Sequence, residues 1–115
     1  MSESEQLHGY ITELRRGALT LAVLGSLTKP CYGYALLQSL QQKQILIEAN
    51  TLYPLLRRLE AQGLLQSDWD TAESRPRKYY SISEKGKEIY QGLLAEWNSM
   101  QQSMKAVFRR ENDNE

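Results

Sequence analysis

The stretch Asn50-Thr51-Leu52-Tyr53-Pro54-Leu55-Leu56-Arg57-Arg58-Leu59-Glu60-Ala61-Gln62-Gly63-Leu64-Leu65 decides how the rest of the chain reads. Leu52, Leu55, Leu56 and Leu59 follow the three-and-four spacing of one apolar helix face. The helix is expected to begin after Ile47-Glu48 and to stop at Gly63, because glycine readily takes the left-handed conformation that ends helices. Pro54 falls near its first turn, where a missing N–H is tolerated. The remaining face offers Asn50, Thr51, Tyr53, Arg57 and Arg58, residue types that hydrogen-bond base edges or phosphates.

Reading outward, two strand-like runs follow at 64–70 and 77–82, separated by the turn-rich Thr71-Ala72-Glu73-Ser74-Arg75-Pro76, which predicts a two-stranded hairpin. Upstream, Gln41-Gln42-Lys43-Gln44 connects to a short helix over 33–41 carrying Ala35, Leu36, Leu37 and Leu40. Before it, Thr28-Lys29-Pro30 ends a helix over 7–27. That first helix has an apolar stripe of Leu7, Ile11, Leu14, Ala18, Leu21 and Gly25, broadened by Leu24 and Leu27. Downstream, Ser83 is a candidate N-cap for a long helix over 84–110, roughly 40 Å at 1.5 Å per residue. A frayed tail is expected over 111–115.

Three helices, the last two joined by a short turn and followed at once by a hairpin, form a helix-turn-helix with a wing. The expected fold class is mainly α with a small β-hairpin. Residues 1–83 would be the winged helix-turn-helix unit with an N-terminal dimer-contact helix, and 84–110 a dimerisation helix. The third helix would then lie in a major groove. The wing adds Arg75, Arg77 and Lys78 beside Tyr79 and Tyr80, a compact contact for phosphates or a minor groove in which Tyr80 is a further candidate DNA contact. The two tyrosines alternate across the sheet, so one of them belongs to the core.

Composition restrains this reading without making it. A chain of 115 residues with 41% hydrophobic and 24% charged residues suits one domain with a modest core. Fourteen basic and fourteen acidic residues cancel, so a nucleic-acid partner has to be argued from the positions of the charges. One cysteine, Cys31, and one histidine, His8, offer no disulfide and no metal cluster. An enzyme would need a nucleophile with its base, paired carboxylates in a pocket or a glycine-rich phosphate cradle, and none is legible. No cofactor is expected. The longest apolar stretch, 18–24, is too short for a bilayer, so the expectation is a cytoplasmic protein with no membrane partner. A winged helix used as a protein–protein module is the alternative that zero net charge encourages.

In the last helix, Gly86, Tyr90, Leu93, Trp97, Met100, Met104 and Val107 step by four and three, a heptad seam too long for one small domain to bury. A second copy is the simplest cover, with Leu7, Ile11, Leu14 and Ala18 of the first helix on the same surface. The two recognition helices would then lie about one DNA turn apart, roughly 34 Å, over an inverted-repeat operator. Trp97, with Leu93, Met100, Leu14 and Ala18, is a candidate site for flat apolar ligands. The same stripe serves equally as plain interface core.

Three segments in this order resemble the PadR family of transcriptional regulators over nearly the whole chain. They are Tyr32-Gly33-Tyr34-Ala35-Leu36-Leu37, the 50–65 stretch quoted above, and Arg75-Pro76-Arg77-Lys78-Tyr79-Tyr80-Ser81-Ile82-Ser83-Glu84-Lys85-Gly86. Two positions depart from the family's pattern: Glu48-Ala49-Asn50 stands where many relatives have Ser-Pro-Gly, and Ser83 replaces a common threonine. The resemblance implies a homodimeric repressor on double-stranded DNA. For the short-tailed subgroup it also implies release by small aromatic compounds stacked on a tryptophan at the position of Trp97. A DNA-binding regulator without a small-molecule effector is the variant of this reading that the residues leave open.

Overall fold

The computed structural model describes residues 2–72 and 74–113, with side chains up to Arg109. The elements run α1 (Glu3–Ser26), β1 (Cys31–Tyr32), α2 (Gly33–Gln42), α3 (Ala49–Ala61), β2 (Leu65–Asp70), β3 (Arg77–Ile82) and α4 (Glu84–Asp113). Glu73 of the expected turn and the last two residues of the expected tail lie outside the described residues. Helix α4 extends three residues past the expected end at Arg110.

Helix α1 starts four residues before the apolar stripe does. Ser2 Oγ accepts the Glu5 N–H at 3.1 Å, while the Glu5 carboxylate accepts the Ser2 N–H at 3.0 Å. This capping box satisfies two otherwise orphaned donors and allows a polar first turn to be helical.

The hairpin forms as expected, and a strand the sequence reading did not include joins it. β1 pairs antiparallel with β3, Cys31 opposite Tyr80 and Tyr32 opposite Tyr79, giving the order β1-β3-β2. Two residues are too few to show alternation, so no sequence pattern announces this strand. β1 ties the start of α2 to the wing.

In α2 and α3 the core is where the leucine pattern put it, whereas α1 contributes Val23, Leu24 and Leu27 rather than the stripe that begins at Leu7. Val23, Leu24 and Leu27 of α1, Leu36 and Leu40 of α2, and Leu52, Leu55, Leu56 and Leu59 of α3 are buried with Leu65, Tyr80 and Ile82 of the sheet. The Ile82 N–H donates to the Leu27 carbonyl at 2.8 Å, fastening β3 to the end of α1. Gly63 closes the loop after α3 at φ 81°, the left-handed backbone expected there.

Helix α4 is anchored at its N-terminal end. Ser83 Oγ accepts the Gly86 N–H at 3.0 Å and donates to the Gly63 carbonyl at 2.6 Å, while the Ser83 N–H donates to the Leu64 carbonyl at 3.0 Å. A Cβ on Gly86 would lie 2.1 Å from the Leu64 oxygen, so only hydrogen fits. One turn on, Tyr90 packs its ring against Gly25 of α1. Beyond Tyr90 the seam becomes progressively more exposed: Trp97 is 41%, Met100 46% and Val107 57% exposed.

Candidate functional site

Helix α3 exposes Asn50, Thr51, Arg57 and Arg58, while Tyr53 is half-buried. Tyr53 leans on α2, close enough that a Cβ on Gly33 would approach its ring at 2.6 Å. From there a groove of about 700 Å³ opens between α2, α3 and the wing, lined by Tyr32, Tyr34, Tyr53, Arg75, Arg77, Lys78 and Tyr80. The structure thus brings Tyr53 together with the wing cations. Asn50, Thr51 and Arg58 lie apart from this groove, in a second of about 510 Å³ shared with Thr12 and Arg16 of α1. Tyr32, Tyr34 and Arg16 are not among the DNA contacts expected from the sequence. Tyr34 stands beside the glycine that meets Tyr53, and Arg16 lies on the polar side of α1, a face that an apolar stripe analysis passes over.

The wing residues differ in what they offer. Arg75 and Arg77 are exposed, and the Arg77 guanidinium sits 4.9 Å from the Tyr32 ring centroid, a cation–π placement. Tyr32 also stacks on Tyr79 with ring centroids 3.9 Å apart. The Tyr79 hydroxyl donates to that of Tyr32, which donates to Asp70 Oδ2 at 3.2 Å. Hydrogen bonding with Tyr79, then desolvation and the Asp70 carboxylate, push the Tyr32 hydroxyl pKa up to about 12. Lys78 is half-buried, with its ammonium 3.3 Å from Glu60 Oε1 and 5.1 Å from the Tyr80 ring centroid. Tyr80, expected among the DNA contacts, is only 6% exposed: strand alternation turns it inward, and it is the core member of the tyrosine pair.

The five residues expected around an apolar ligand converge. Leu14, Ala18, Leu93, Trp97 and Met100 line one pocket of about 250 Å³ between α1 and α4, with Leu21 and Glu96 completing it. Trp97, with Ala18 and Leu21, also walls a neighbouring pocket of about 340 Å³ that reaches Gln44, Ile45 and Leu46 in the turn before α3. That second pocket joins residues from distant parts of the chain. Among the described residues no group of His, Cys, Asp and Glu could hold a metal ion, and no helix is long and apolar enough to cross a membrane.

Comparison with known proteins agrees with this geometry. The family described as transcriptional regulator PadR-like matches residues 20–92. A transcriptional regulator of Mycobacterium tuberculosis is 34% identical over 76 residues, 65% of this chain and 71% of the relative. A crystal structure of a PadR family transcriptional regulator from Eggerthella lenta superposes with a TM-score of 0.83 at 45% identity, covering 91% of this chain and 94% of that one. A PadR-like transcription factor from Bacteroides fragilis gives 0.74 at 30% identity, covering 86% and 98%. These relatives are transcriptional regulators. The matched region spans the helix-turn-helix, the wing and the start of α4, and this chain belongs to the PadR-like family of transcriptional regulators.

Proposed function

We propose that the protein is a cytoplasmic homodimeric repressor that binds an inverted-repeat operator and is released by small planar aromatic compounds. The observation that carries the DNA reading is the groove in which Tyr53 of α3 faces Arg75 and Arg77 of the wing. Helix α3 enters the major groove with Asn50, Thr51, Tyr53, Arg57 and Arg58, and the wing arginines hold adjacent phosphates. The dimer reading is supported by the apolar face of α4 from Leu93 to Val107 and by Leu14, which is 81% exposed on α1. Ligand release is supported by the convergence of Leu14, Ala18, Leu93, Trp97 and Met100 on one pocket. Stacking on an indole contributes about 0.5–1.5 kcal/mol beyond area burial.

Selection from a random-sequence duplex pool should return an inverted repeat with half-sites about 10 bp apart. Planar phenolic acids and dyes should then release the selected duplex from the wild type, with binding followed by calorimetry. Trp97→Ala should stay dimeric and bind these compounds at least tenfold more weakly. Equal binding by the variant would leave Trp97 as interface core and remove the effector from the mechanism.

A further inference from the structure

Glu60 stands at the end of α3, half-buried, where the recognition helix meets both strands of the wing. Its carboxylate accepts a hydrogen bond from Ser67 Oγ on β2 and another, at 3.3 Å, from Lys78 Nζ on β3. Ser67 lies opposite Tyr80 and Trp69 opposite Lys78, so side-chain alternation puts both donors on one face of the hairpin. One helix residue therefore grips two strands. The hydrogen bond from Ser67, with a smaller contribution from Lys78, holds the Glu60 carboxyl below the usual range despite some desolvation, so it is ionised at neutral pH.

A partly exposed ion pair adds little to global stability. This one sits at a joint, and beyond it the chain carries Arg75 and Arg77 into the groove beside Tyr53. We infer that Glu60 is a positioning residue for DNA recognition, fixing the angle between wing and recognition helix through Ser67 and Lys78 so that both meet one duplex as a rigid unit. The inference rests on the DNA-binding reading above. It has a second consequence, since the grip pairs the half-buried Lys78 with Glu60 and competes with phosphate for its charge. Loss of the grip should harm recognition that depends on the relative register of helix and wing. Binding that depends on charge alone should persist or strengthen.

The test compares Glu60→Ala and Ser67→Ala with wild type on two duplexes, the one the wild type selects from a random pool and a scrambled one of equal length, across a salt series. We expect affinity for the selected duplex to fall about tenfold, the scale of one lost base-pair contact. Affinity for the scrambled duplex should hold or rise, with a salt slope steeper by up to about 0.9 in Glu60→Ala as Lys78 gains a phosphate. Glu60→Gln, which keeps an acceptor, should fall between. Parallel loss on both duplexes alongside a lower melting temperature, or no change on either, would overturn the assignment. A wild type that selects no duplex would instead remove the DNA-binding reading on which it stands.

Discussion

Gly86 shows how much one hydrogen atom can decide. With the Leu64 carbonyl 2.1 Å and Ile82 Cγ1 2.7 Å from where a Cβ would sit, Gly86→Ala must push α4 off the sheet. We expect a loss of about 2–3 kcal/mol, read as a lower midpoint in urea with an unchanged slope. Gly92 has nothing within 4 Å of its Cβ position, so Gly92→Ala serves as the control without a clash and should raise stability by about 0.5–1 kcal/mol. The sequence marked Gly86 as a seam position but could not reveal its neighbour, because that contact joins elements brought together only by the hairpin. Tyr32 gives a pH-dependent counterpart. Its hydroxyl titrates near 12 in the fold against an ordinary value of 10.0, so between these values the native state holds the extra proton. Stability should therefore fall as pH rises from about 10 to 12. Tyr32→Phe should show a shallower decline over that window in denaturant titrations. An identical decline would mean that the hydroxyl chain to Tyr79 and Asp70 contributes nothing to the linkage.

Among the elements, the helices were the legible part and the sheet edge the illegible one. Leucine spacing located α2, α3 and the buried end of α1 because burial of one helical face leaves a periodic trace. The first turn of α1 has no apolar stripe, and its only trace in the sequence is the capping-box spacing of Ser2-Glu3-Ser4-Glu5. β1 left no trace at all. For the site, the two grooves explain why the candidate DNA residues were found while their grouping was not: a linear list cannot show that Tyr53 faces the wing and Arg58 faces Arg16. The wing itself yields a quantitative expectation. Replacing Arg75 and Arg77 together by alanine should lower the salt slope of DNA binding by about 1.8, or about 0.9 per phosphate contact. Lys78→Ala alone should change it by much less, because Glu60 already holds that ammonium. A slope unaffected by the double replacement in a folded protein would remove the wing from the interface.

Taken whole, the molecule is drawn out: its extents are 66 × 36 × 24 Å and its radius of gyration is 17.4 Å. A compact domain of this size would have a radius near about 13 Å. Its accessible surface of 8734 Å² likewise exceeds the roughly 6,500 Å² expected for a folded monomer of 13.3 kDa. An excess of roughly 2,200 Å² per chain is the scale an obligate dimer interface removes. Leu93→Asp places a carboxylate in the middle of that surface, at a cost of several kcal/mol if it stays charged. Sedimentation should then find monomer or unfolded chain, and a tight folded dimer would contradict the assignment of α4. The fastening of α4 by Ser83 and Gly86 has a mechanical meaning. A helix of 30 residues held at one end is a beam with its fulcrum beside the wing and its free end roughly 40 Å away. Tilting such a beam by about 5° carries its tip roughly 3–4 Å, more than half a helical turn. Trp97 lies nearly midway along this arm, so a small wedge inserted there is geared up to a displacement of the far end comparable to the spacing between neighbouring base pairs.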